Sequence, residues 1–174
     1  RQLAAALTPD EIGKTLAWLS SDLGRQLTAL EETSSEASQY EARREAASQF
    51  MTTLPGKRRS LVERLVAALG AGEASASMVI NTTLALAQGI AAVSPANTTG
   101  DVKGLAALLQ GQRQQLARHY RQEAIAQMAY TYRSVTDRDL SRYVSFATSP
   151  AGRKYHAATI AALDAALARA AGDI

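Results

Sequence analysis

The chain has 174 residues, no cysteine, and 19 basic against 16 acidic side chains, for a formal charge of +3. Without thiols there is no disulfide framework, no thiolate metal site and no thiol catalysis, and so slight a positive balance is not the field of a dedicated nucleic-acid binder. Alanine supplies about a fifth of the residues, against 4 prolines, 11 glycines and 5% aromatics, and this surplus of helix formers over breakers predicts an all-α bundle of about seven helices.

In chain order, the first predicted helix starts at Thr8-Pro9-Asp10-Glu11, where Thr8 caps, Pro9 suits the first helical position and Glu11 completes a capping box. Ile12, Leu16 and Leu19 form its apolar stripe, with Trp18 beside them, and it ends near Ser20. Ser21 caps a second helix expected to run toward Phe50, with Glu31 to Glu45 polar on most faces and projecting into solvent or lying on a partner. Leu54-Pro55-Gly56 breaks the pattern. A third helix points Leu61, Leu65, Val66 and Leu69 inward and stops at Gly70. The fourth, from about Glu73 to Val93, is uncharged from Ala74 onward and is long enough to cross a bilayer. Its Ser75, Ser77, Asn81, Thr82, Thr83 and Gln88 argue instead for the buried central helix of a bundle, without a transmembrane span. After a loop at Ser94 to Gly100, Asp101 begins a long helix reaching toward Arg133, which Gly104 and Gly111 could bend. A short helix over Thr136 to Thr148 follows, and Ser149-Pro150 starts the last one.

Two of these regions repeat at a fixed offset of 128 residues, which carries Thr8 onto Thr136. Trp18 falls on Phe146, Ser21 on Ser149, Gly24-Arg25 on Gly152-Arg153 and Leu27 on Tyr155, without a gap. The shared pattern is a capped short helix ending in an aromatic, a serine cap, then Gly-Arg in the next helix. It describes an internally duplicated helix corner: Ser149 caps, Pro150 stops the preceding helix, and Gly152 lets the short helix approach closely. A packing corner is one role for it. Binding of an anionic group or partner by Arg25, Arg153 and Lys154 near a helix N-terminus is the other.

Thr136 to Tyr155, with Ser149-Pro150-Ala151-Gly152-Arg153-Lys154-Tyr155 at its end, resembles the family catalogued as domain of unknown function 2059. Members carry a short helix ending in an aromatic, followed by Ser-Pro-x-Gly, basic residues and an aromatic. Arg59 to Met78 is similar to the family's opening, and the likeness covers residues 57–168. Residues 7–40 look like the tail of a second, incomplete copy, with Asp22 where the family has proline, so that corner is expected to be looser. The chain thus divides into an N-terminal segment, 1–53, and a helical domain, 54–174. The resemblance implies a small helical protein of the Gram-negative periplasm or envelope, and Arg1 at the start reads as a mature form with its leader removed or as a fragment. It brings no catalytic residues with it.

The residues themselves offer little chemistry. His119 and Glu123 stand at i,i+4 and could present two ligands to a metal, but a solvated face explains the spacing, and no metal or cofactor is expected. His156 has no acidic neighbour in sequence, and Asp137 and Asp139 suit the first turn of a helix. No Gly-x-Ser-x-Gly, phosphate-binding loop or His-Glu-x-x-His occurs. Lys57, Arg58, Arg59 and Arg64, then Arg113, Arg118 and Arg121, read as a charged solvated face, and the absence of an aromatic-plus-basic platform argues against nucleic acid. Tyr120, Tyr130, Tyr132, Tyr143 and Tyr155 crowd the C-terminal half, as core residues or as a tyrosine-rich groove. The expectation is a non-enzymatic module that binds protein partners or itself. The alternative is a carrier of a lipid or other amphiphile held between the fourth helix and the long one, and an enzyme of unrecognised type is a remote third.

Overall fold

In the computed structural model, residues 6–35, 40–93 and 98–172 are described, the side chains of 92–101 and 167–172 excepted. These residues form eight helices and no strand: α1 (Pro9–Leu19), α2 (Asp22–Ser34), α3 (Tyr40–Thr52), α4 (Gly56–Leu69), α5 (Ala71–Val93), α6 (Thr98–Thr131), α7 (Asp137–Thr148) and α8 (Pro150–Gly172). The all-α bundle expected from composition is what the chain forms. The extra helix comes from a break in the second expected one. Thr33 Oγ1 donates to the Ala29 carbonyl and Ser35 Oγ to the Glu32 carbonyl. These short hydroxyl side chains compete for the backbone and end α2 at Ser34.

Local sequence sets most other boundaries. Thr8 and Glu11 form the expected capping box: the Glu11 amide donates to Thr8 Oγ1, and the Thr8 amide to Glu11 Oε2 at 2.9 Å. Gly70 ends α4 in the left-handed region at φ 62°, which costs glycine nothing. The expected loop over Ser94 to Gly100 lies partly outside the described residues, and α6 has already begun at Thr98.

One core runs through the molecule. Leu61, Val62, Leu65 and Val66 of α4 join Leu140, Tyr143, Val144 and Ala147 of α7, Ile125 and Ala129 of α6, and Leu23 and Leu27 of α2. Residues on both sides of the 53/54 boundary therefore share it. Helix α4 packs on α7 and α6, α3 lies along α6, and α8 runs back over α5 and carries α1 on its outer side. The polar stretch expected over Glu31 to Glu45 lies partly outside the described residues; its α3 part leaves Glu41, Arg44 and Glu45 exposed while α3 lies on the long helix, where Arg44 pairs with Glu123 at 2.8 Å and Phe50 meets Tyr130 edge-on.

Helices α5 and α6 form a hairpin, and it departs from expectation. The uncharged helix is not buried all round. Ala76, Ser77 and Ile80 are buried near its start, but Leu86 is 66% and Ile90 54% exposed. Its main neighbours are α6 and α8, with α4 touching only the base, so the remaining side of its outer half faces solvent. Close packing is confined to its base. At Gly72 an added Cβ would lie 2.6 Å from the Ala117 carbonyl oxygen, and the hairpin is tied by Arg113 to Ser77 and Arg121 to Glu73, both at 2.6 Å. No described helix is long and apolar enough to cross a membrane.

Candidate functional site

The repeated corners are built alike, bond for bond. Ser21 Oγ donates to the Trp18 carbonyl at 2.6 Å and accepts from the Gly24 amide at 3.0 Å. Ser149 Oγ does the same with Phe146 at 2.7 Å and Gly152 at 3.0 Å. A Cβ on Gly24 would fall 2.1 Å from the Trp18 oxygen, and one on Gly152 2.0 Å from the Phe146 oxygen, so only glycine fits either place. Asp22 does not loosen the first corner. Its carboxylate takes Arg25 at 2.6 Å, and the serine-to-glycine bond keeps the length it has beside Pro150.

The basic residues at these corners are occupied by the fold. Arg25 donates to the Ser20 carbonyl and Arg153 to the Thr148 carbonyl, each closing the end of the helix before it. Lys154 reaches Glu11 on α1 at 2.7 Å, and this ion pair holds the Glu11 carboxyl below the usual carboxylate range. The two corners meet through their equivalent aromatics: Trp18 stacks on Phe146 with centroids 4.7 Å apart and planes 9° off parallel.

That stack forms one wall of a cleft of about 930 Å³. The cleft is open to solvent, is lined by α2, by the last turns of α1 and α6, by α7 and by the start of α8, and apolar surface predominates in its lining. Trp18, Phe146, Tyr143, Tyr132, Tyr155 and Met128 line it. Glu31, exposed on α2, also lines it. Glu31 Oε1 accepts from Tyr132 Oη at 2.5 Å and from Tyr143 Oη at 3.1 Å. Burial raises both phenols above their ordinary pKa, so they stay protonated and act as donors. Tyr132 is 1% and Tyr143 6% exposed.

His156 stands on the same wall, between the Phe146 and Tyr155 rings, with Nε2 buried and unpartnered. Its pKa is lowered by burial, so the ring is neutral at pH 7. Of the expected site residues, Arg25 and Tyr155 come together at this cleft, Lys154 turns away to Glu11, and Arg153 serves its own corner.

The other candidates disperse. Glu123 lies 3.7 Å from His119 and is also taken by Arg44, and among the described residues no group of three His, Asp or Glu side chains could hold a metal. Asp139 accepts from the Thr136 cap and Arg142, as an acid in a first turn should. Arg58 is no surface charge. Its side chain is 12% exposed and bonds Asp137 and the Tyr132 carbonyl, tying α4 to the α6–α7 turn. The uncharged helix and the long one approach closely at Gly72, at the base of their hairpin, and the cleft described here lies elsewhere.

Sequence reasoning did not find Glu31. Its position became visible only with the end of α2 at Ser34, which puts this acid in a last turn, where the helix dipole disfavours it. Comparison with protein-family models, curated proteins and solved structures finds no match.

Proposed function

We propose that this chain is a non-catalytic binding module of the bacterial envelope that receives an amphiphilic ligand in the cleft lined by α2. The cleft carries this reading. Its volume of about 930 Å³ falls in the range of small-molecule sites, and it offers aromatic walls with a few convergent polar groups. The envelope location and kinship with the domain of unknown function 2059 rest on the Ser149–Tyr155 corner, whose serine cap and glycine contact give that motif a definite structural role. The test uses decyl maltoside below its micellar concentration, read by the fluorescence of Trp18, the chain's one tryptophan. Saturable one-to-one binding that weakens in Thr159→Phe, which narrows the cleft, is the expected result. No saturable change, or the same affinity in the variant, contradicts it.

A second reading, a protein-interaction or self-associating module, is favoured by Leu86, Ile90 and Leu108, more than half exposed on the α5–α6 hairpin. It predicts a mass in sedimentation equilibrium that rises with concentration in the wild type and stays monomeric in Leu86→Lys/Ile90→Lys.

A further inference from the structure

The charge of the cleft specifies its ligand. Glu31 and Glu32 both line it, and both sit in the last turn of α2. The carbonyl end of a helix carries partial negative charge, so acids there cost stability and bases are favoured. Helix α2 has no basic residue in its last turn. Among the described residues, neither Glu31 nor Glu32 has an ion-pair partner; the acids that are paired are others.

Arg43 of α3 donates to the Thr33 carbonyl at 3.2 Å at this end of α2, but among the described residues no cation pairs with Glu31 or Glu32. Arg25, which lines the cleft, is engaged by Asp22 and the Ser20 carbonyl. His156 is neutral at pH 7 and adds no positive charge. Glu31 is nevertheless held in place by two tyrosine hydroxyls, which orient its carboxylate toward Tyr132 and Tyr143.

The surroundings suit one class of ligand. Trp18, Tyr143 and Tyr155 line the cleft together with Glu31, Trp18 stacking on both Tyr143 and Phe146, and a carboxylate beside apolar rings attracts an organic cation by charge. The apolar floor, with Leu27, Leu69 and Met128, takes a hydrocarbon body.

We propose that the cleft binds an alkylammonium amphiphile, its cationic head at Glu31 and Glu32 and its chain along the α6–α8 wall. This rests on the cleft-binding reading above and adds the sign of the head group.

Three probes with one chain length separate the two claims: decyltrimethylammonium, decyl maltoside and decyl sulfate, each below its micellar concentration and read by Trp18 fluorescence. The expected order is the ammonium first by about tenfold or more, then the maltoside, then the sulfate. In Glu31→Gln, which keeps an acceptor for both tyrosines, ammonium affinity falls to that of the maltoside, while maltoside affinity changes less than about twofold. Glu32→Gln, with no tyrosine partner to lose, gives a smaller fall in the same direction. Raising salt weakens the ammonium alone. Equal binding of all three probes, or ammonium binding unmoved in both variants, overturns the cationic head group and leaves the cleft-binding reading standing. No binding of any probe overturns both.

Discussion

The two corners differ in what they bury, although their hydrogen bonds agree. In the C-terminal corner α7 sinks Leu140, Tyr143, Val144 and Ala147 into the core. In the N-terminal corner α1 buries only Thr15, and Leu16, the counterpart of Val144, is 59% exposed. The difference teaches that serine cap, glycine contact and arginine closure are fixed by neighbours in sequence, whereas burial depends on what lies across the corner. Helix α7 meets α4, which buries Leu61, Val62, Leu65 and Val66, while α1 rests on α8 and α2. The N-terminal corner is thus an added layer whose aromatic, Trp18, closes a cleft against its own repeat.

The largest expected effect breaks the corners at their glycines. Gly152→Ala forces a Cβ onto the Phe146 carbonyl in a corner that the core cannot release, and costs about 3 kcal/mol in urea unfolding. Gly24→Ala makes the same clash, but α1 can tilt outward, so about half that loss is expected, with the Trp18 emission shifting as the stack opens. Equal losses would remove the distinction between an embedded and a laid-on corner.

Next in size are the equivalent apolar residues. Val144→Ala, at a 1% exposed position, costs about 2 kcal/mol from lost burial and the cavity left behind. Leu16→Ala costs less than about 0.5 kcal/mol by the same denaturation curve.

The smallest effect is in acid. Because burial lowers the His156 pKa in the folded chain, the unfolded chain takes up that proton first, and stability falls as the pH drops below about 6.5. Glu11 acts lower. Its folded pKa is depressed by Lys154, so the contribution is present above the ordinary carboxylate value and is lost as the pH falls through the folded one. Urea midpoints between pH 7.5 and 3 should show the first step vanish in His156→Phe and the second shrink in Lys154→Met. An unchanged profile in His156→Phe would place the acid sensitivity elsewhere.

What was legible in the sequence was local. Thr8-Pro9-Asp10-Glu11, Gly70 and the Ser-x-x-Gly corners act on residues three or four positions away, and each appeared where expected. The break at Ser35 was local too, but its signal was a run of hydroxyl side chains in place of a glycine or proline. The site was not legible, because it is assembled across the chain: Tyr132 meets Glu31 101 positions away, and Tyr143 meets it 112 away. Arg58 looked like part of a basic surface and is paired 79 positions away with Asp137. The uncharged helix misled because absence of charge does not require burial: Leu86 and Ile90 are more than half exposed.

The most direct test of the binding account is a crystal structure of the protein grown with decyltrimethylammonium. The account predicts the alkyl chain along the wall of α6, α7 and α8, the ammonium within about 6 Å of the aromatic ring centroids, and Glu31 still bonded to Tyr132 and Tyr143. An empty cleft at saturating ligand, or the ammonium seated instead on the Leu86–Ile90 face, would contradict it.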